Sequence, residues 1–227
     1  NAANEVTSVV GRGSVKLDLP ATGTAPPRSI RARSLDAAGG KGLEKAAFTD
    51  DVEYREDPAK AGGQSRVVKA NALAAGLATD EITYAIFTGR VTFTEQGLEA
   101  AASRAEYDPG AGTLRLTGVE QGRGPHVADQ DVSIDADAIS VTLKGHHMVA
   151  KGAVKTILQP QREGSNCSLP SLPNGSQSAN ANGGTLEYDG EKGTAAYTGS
   201  VQLWQGDTGI FADRITIDRS SGDLFAA

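Results

Sequence analysis

The sequence predicts an all-β chain built from antiparallel strand pairs. Three observations carry this: period-2 stretches bounded by Gly, Asp and Asn are common, runs with apolar residues at three-and-four spacing are scarce, and the chain repeats itself. Alternation is plain in Phe87-Thr88-Gly89-Arg90-Val91-Thr92-Phe93 and in Ile215-Thr216-Ile217. Two runs read as helix candidates, Ala70–Leu77 and Gly97–Ala105. The repeat recasts the second as part of a strand pair.

The repeat is exact in spacing. Tyr107-Asp108, Gly112-Thr113 and Thr117-Gly118 return as Tyr188-Asp189, Gly193-Thr194 and Thr198-Gly199, so six of twelve ungapped positions are identical. Phe87–Asp108 also aligns without a gap on Tyr197–Asp218, with Thr88/Thr198, Gly89/Gly199, Val91/Val201, Ala102/Ala212 and Arg104/Arg214 coinciding. Fainter copies are in phase: Phe48–Tyr54 resembles Phe87–Phe93, Gly13–Leu17 resembles Gly199–Leu203, Gly152-Ala153-Val154 keeps the Gly-x-Val frame, and Ala136–Val141 parallels Ala212–Ile217. In each unit an Asp followed four residues later by Gly marks a hairpin, at Asp108/Gly112, Asp189/Gly193 and Asp218/Gly222. The Gly inside each strand marks a bulge or a corner that every copy turns. The unit is strand–turn–strand, stacked about five or six times on this register.

Composition bounds the function. The chain has 227 residues with 28 acidic and 22 basic side chains, net −6, which argues against a nucleic-acid partner. No window approaches ~18 uninterrupted apolar residues. The chain starts at Asn1 with no leader pattern and reads as a trimmed or mature segment. The single cysteine, Cys167, excludes an internal disulfide. It lies in Pro160–Gly184, a stretch rich in Ser, Asn, Pro and Gly that reads as a mobile insertion in a single domain spanning 1–227. Asn166-Cys167-Ser168 and Asn174-Gly175-Ser176 there match the glycosylation sequon, a pattern that arises often by chance. Leu19–Arg28, with its prolines, is a weaker loop.

No catalytic constellation emerges. Adjacent His146 and His147 point to opposite faces of a strand and cannot chelate one metal, and His126 follows a turn. Asp135 and Asp137 share a face, as paired acids of a glycosidase would. Asp137, however, has its repeat counterpart in Asp213, which indicates a structural place. No nucleophile motif or nucleotide loop is present, and neither a metal nor a cofactor is expected. What remains is a continuous inward apolar face. It comprises Phe48, Val52, Tyr54, Phe87, Val91, Phe93, Tyr197, Val201 and Leu203, with Leu114, Leu116, Ile139, Val141, Met148, Val154, Ile215 and Ile217 as neighbours.

The units YD-x3-GT-x2-[LY]TG and [FY]-TG-x-V-x-[FL], with Ala212-Asp213-Arg214-Ile215-Thr216-Ile217-Asp218 before the next turn, resemble the OstA-like family, the LptA, LptC and LptD N-terminal domains of lipopolysaccharide transport. The resemblance covers roughly Phe87–Ala227 and is compatible with Arg31–Tyr54. It implies a β-jellyroll (a "taco") of stacked strand pairs without enzyme activity. Its apolar groove, here the inward face above, would shield the acyl chains of lipid A. Implied partners are lipopolysaccharide, other β-jellyroll bridge domains or a second copy paired edge to edge, and an inner-membrane transporter complex. The implied location is the periplasm, with an inner-membrane anchor preceding this chain in the LptC type. The weak N-terminal copies and the 160–184 insertion favour an LptC-like or fused LptC/LptA-like domain over a soluble LptA. The competing reading is a structural or adhesive β-solenoid whose apolar face is a closed core.

Overall fold

The computed structural model describes residues 6–22, 25–58, 65–78, 81–160 and 177–227. The chain divides into two compact units, Asn1–Gly112 and Thr113–Ala227. Among the described residues the regular structure of both is antiparallel β, apart from a 3-10 turn at Lys144–His146.

The first unit holds β1 (Ser8–Leu19), β2 (Arg28–Ala38), β3 (Lys45–Glu56), β4 (Arg66–Ala78), β5 (Glu81–Glu95) and β6 (Leu98–Asp108). Each strand pairs with the next in chain order. Every pairing slips at a common level: Arg12/Val15, Arg31/Ser34, Thr49/Val52, Lys69/Ala72 and Thr88/Val91. There the backbone of alternate strands enters the left-handed region, at Gly13 (φ 94°), Asp50 (64°) and Asp51 (52°), and Gly89 (75°) and Arg90 (47°). Each strand therefore turns a corner and has two arms. Arm one carries the cross-strand row Leu35–Phe48–Leu73–Phe87–Ala105. Arm two carries Ile30–Tyr54–Val68–Phe93–Ala100. All ten are buried. The rows face one another, since the Tyr54 ring meets Phe87 edge-on at 5.7 Å.

The second unit builds the same rung from more pieces. Its elements are β7 (Thr113–Thr117), β8 (His126–Ala128), β9 (Val132–Asp135), β10 (Ala138–Thr142), β11 (His147–Leu158), β12 (Ala179–Asp189), β13 (Thr194–Gln205), β14 (Thr208–Asp218) and β15 (Asp223–Ala226). β10 pairs the first half of β11 and β9 the second half, so the two are one strand interrupted at Ala136-Asp137. The corners recur at Lys151/Val154, Asn182/Thr185 and Thr198/Val201, with Gly152 (76°) and Ala153 (44°), then Gly199 (87°) and Ser200 (52°), in left-handed conformation. Arm one bears the row Leu116–Ile139–Ala150–Leu186–Tyr197–Ile215 and arm two the row Val127–Ile134–Thr156–Ala181–Leu203–Ile210.

The hairpin spacing works as the sequence predicts. The Asp side chain at each turn accepts from the backbone, Ala111 N to Asp108 at 2.9 Å, Lys192 N to Asp189 at 3.0 Å and Ser220 N to Asp218 at 2.9 Å, while Gly112, Gly193 and Gly222 take positive φ.

Two expectations need correction. Ala70–Leu77 is not a helix but the middle of β4, where Ala70, Leu73 and Ala75 are buried and Lys69, Asn71 and Ala74 face out. Pairing with strands on both sides overrides the helix propensity of alanine. Within the stretch 160–184, expected to be a mobile insertion, Ala179–Gly184 belong instead to β12, with the small Ala179 and Ala181 turned inward. Cys167 and both sequons lie outside the described residues.

The corners give a direct stability test. A Cβ at Gly199 would lie 3.3 Å from the Gly184 Cα at φ 87°, and one at Gly89 would lie 2.5 Å from the Asn71 side chain. Gly199→Ala and Gly89→Ala should each lower unfolding free energy by about 1–2 kcal/mol in urea titrations. Gly112→Asn, in open space, should cost much less. The turn carboxylates add a pH dependence. Asp189, bonded to the Lys192 ammonium and amide, and Asp218, bonded to the Ser220 hydroxyl and to the Ser221 and Ser220 amides, are held below the ordinary 3.8. Their contribution is present above pH 3.8 and is lost as pH falls through their folded values. Thermal melts of wild type should therefore drop more between pH 5 and pH 3 than those of Asp218→Asn.

Candidate functional site

The inner faces of the two arms are the candidate site. In the first unit Phe48, Val52, Tyr54, Phe87, Val91 and Phe93 are at most 2% exposed. In the second, Leu116, Ile139, Val141, Met148, Val154, Tyr197, Val201, Leu203, Ile215 and Ile217 are buried to the same degree. Period-2 alternation places them all inward, and the corner brings the two halves of each strand face to face. In this structure the lining is packed on itself.

The alternation that buries the apolar residues also carries polar ones, which the sequence reading missed. Two positions beyond Ile30, Tyr54, Val68 and Phe93, on the same face and farthest from the corner, stand Arg28, Glu56, Arg66 and Glu95. Register places Arg28 opposite Glu56 and Glu56 opposite Arg66. The ion pairs measure 2.8 Å (Arg28–Glu56), 2.6 Å (Glu56–Arg66) and 2.7 Å (Arg66–Glu95). The Tyr54 hydroxyl donates to Glu56 at 2.9 Å. From arm one the Tyr107 hydroxyl meets Arg66 Nη1 and lies 3.3 Å from Glu56 Oε1, with the Arg66 guanidinium 5.2 Å above its ring. Burial, then the Glu56 carboxylate, pushes the Tyr54 hydroxyl well above its ordinary pKa. Burial does the same to Tyr107, although the Arg66 charge opposes it.

The second unit has polar groups at corresponding places. Arg219, in the hairpin after β14, reaches the tips of arm two, with Nη1 3.4 Å from the Asp131 carbonyl, Nη2 3.5 Å from the Gln159 carbonyl and 3.4 Å from Asp131 Oδ1. Tyr188 lies within its reach, and its hydroxyl is raised to about 12, by burial first and then by Asp129 and Asp131. Deeper in, the buried hydroxyls of Thr156 and Tyr197 make no hydrogen bond of ordinary geometry.

The remaining polar candidates stay apart. Asp135 is at the surface, paired with His126 at 2.9 Å. Asp137 lies at a corner, where a Cβ on Gly152 would strike its carboxylate. His147 faces Glu187 at 3.4 Å. Among the described residues no three His, Cys, Asp or Glu side chains converge to hold a metal.

Residues 180–224 match the family described as LptA/(LptD N-terminal domain) LPS transport protein. That span is β12 to β15, the strands carrying Tyr188-Asp189, Gly193-Thr194 and Ala212–Asp218. Over those strands the chain is similar to the OstA-like lipopolysaccharide-transport family. Among solved structures, the chain is similar to LptH, the LptA homologous periplasmic component of the conserved lipopolysaccharide transport device from Pseudomonas aeruginosa. Identity is 12%, the match covers 75% of this chain and 86% of that one, and the TM-score is 0.33. No curated protein sequence matches the chain.

The run of ion pairs from Arg28 to Glu95 makes a sharp stability prediction. Glu56→Ala strands Arg28 and Arg66 without their shared carboxylate and should cost about 3–5 kcal/mol in denaturant titrations. The buried tyrosines Tyr54, Tyr107, Tyr188 and Tyr197, all raised, should keep their protons past pH 10 in the folded protein. Tyrosinate absorbance from them should appear only with alkaline unfolding, because a raised phenol stabilises the fold below pH 10 and loses that contribution above its folded value.

Proposed function

We propose that the protein is a non-enzymatic component of lipopolysaccharide transport in the periplasm, and that the inner faces of its arms shield lipid A acyl chains. The observation that supports this most directly is the continuity of the apolar rows from strand to strand within each unit, in a chain whose residues 180–224 match the LptA/(LptD N-terminal domain) LPS transport protein family. Shielding an acyl chain is worth roughly 0.8 kcal/mol per methylene, so about a dozen methylenes contribute on the order of 10 kcal/mol. Loaded arms would supply that shield without gripping any particular head.

Docking is the second part of the proposal. β1 pairs with β2 alone among the described residues, and none of its residues is fully buried. β15 covers only Ile215–Asp218 of β14, leaving Ile210 and Ala212 half-exposed beside the open edge of Thr208–Asp213. Free backbone donors and acceptors next to unfinished apolar rows suit strand addition by another β-jellyroll bridge domain, or by a second copy. An inner-membrane transporter complex is the partner the same reading places at the start of the bridge.

One observation favours the competing structural scaffold. The lining is packed, with Tyr54 against Phe87 at 5.7 Å, as in a closed core. Photocrosslinking to lipopolysaccharide in envelope vesicles separates the two. A photoreactive residue at inward Phe93 or Val201 should yield adducts, and one at outward Thr92 or Gln202 should not. Folded protein without adducts from either inward site would establish the scaffold.

A further inference from the structure

The first unit is tied shut at its mouth by polar groups, and so is the second. Tyr107 extends from arm one to Arg66 and Glu56 on arm two. In the second unit Arg219 crosses from a hairpin of arm one to Asp131 and Gln159 on arm two, with Tyr188 beside it. Tyr107 and Tyr188 occupy the same place in the repeated Tyr-Asp motif. Two units that differ in how their strands are assembled thus put a tyrosine and an arginine at the same level, farthest from the corner.

The named lining side chains are at most 2% exposed among the described residues, so an acyl chain can lie against them only when the arms part, and these ties must then separate. They are suited to it. The Arg219 contacts are long, 3.4–3.5 Å, and two of the three go to neutral carbonyls. Arg66 gives Nη1 to Tyr107 and Glu56 and Nη2 to Glu95, while its buried Nε makes no bond. A guanidinium that exchanges a neutral hydroxyl or carbonyl for a phosphate gains a charge-assisted, forked bond.

We propose that Arg66 with Tyr107, and Arg219 with Tyr188, are displaceable latches that hold each empty unit closed, and that the two arginines turn to phosphate oxygens of an amphiphile's head when the arms part around its tails. The inference rests on the acyl-chain reading above. It assigns the arginines the recognition of a phosphorylated head and the tyrosines the closed state.

The test uses the full chain and two photoreactive diacyl probes in nonionic detergent, phosphatidic acid and the matching diacylglycerol. Tyr107→Phe and Tyr188→Phe remove a hydroxyl and keep the ring. Loss of one closed-state hydrogen bond should raise loading of both probes about fivefold. Wild type should prefer phosphatidic acid by about tenfold, and Arg219→Gln and Arg66→Lys should reduce that preference for their own units, read by which peptides carry the label. Melting curves confirm that each variant is folded, and two tyrosines in two units guard against one failing to fold. Loading by folded Tyr→Phe variants at or below the wild-type level overturns the latch. An unchanged phosphate preference in both arginine variants overturns the head-group role. If neither probe labels wild type or any variant, the acyl-chain reading itself falls, and the latch with it.

Discussion

The structure depends on the corner that each rung makes. A meander of long straight strands would bury one apolar face only by finding a second layer elsewhere in the chain. Here each strand supplies both layers, because left-handed residues and a slip in pairing turn it back over itself. That geometry carries strain, since Arg90, Ala153 and Ser200 hold φ near 44–52° without being glycine. Such residues cost on the order of 1 kcal/mol each. The burial of opposed rows such as Phe48 and Phe87 against Tyr54 and Phe93 outweighs that cost. Neighbours complete the corner: the side chains of Asn71 and Asp137 occupy the space that a Cβ on Gly89 or Gly152 would need.

Chemistry along each arm follows distance from the corner. Near it the lining is aliphatic and aromatic, and at the far end it becomes charged. In the first unit the order Arg28, Glu56, Arg66, Glu95 alternates in sign across four adjacent strands. A two-residue slip would bring Arg66 opposite Tyr54 and leave Glu56 without its partner. The ladder therefore specifies register where the nearly uniform apolar rows do not. Its cost is the desolvation of four charges, offset by short pairing on both sides of Glu56 and Arg66.

Much of this was written plainly in the sequence. Alternation gave the inward set from Phe48 to Ile217, and the Asp-to-Gly spacing located the hairpins at 108, 189 and 218. The glycine of the Gly-x-Val frame marked the corner at Gly13, Gly89, Gly152 and Gly199, whereas in β3 Asp50 and Asp51 take that place. Ala70–Leu77 misled because alanine is silent about period: only its pairing with Phe48 on one side and Phe87 on the other makes Leu73 a strand residue. Arg28, Glu56, Arg66 and Glu95 do not stand out by type, because a charged side chain ordinarily marks a solvent-facing position. The signal was there, since each stands two residues from an inward apolar position and must share its face. Arg219 left no such trace. Its partners Asp131 and Gln159 are distant in sequence, and only the folded hairpins bring them near.

Strand order within the meander has a consequence for how such a chain changes length. From β1 to β6 the chain returns to the same arm after every second strand, and each strand is registered only against its immediate neighbours. A whole hairpin can therefore be inserted or deleted without resetting any other pairing, as in repeat proteins whose stability sums over adjacent interfaces. A single strand cannot, because it would deliver the chain to the wrong arm. Homologous chains should grow and shrink in even steps.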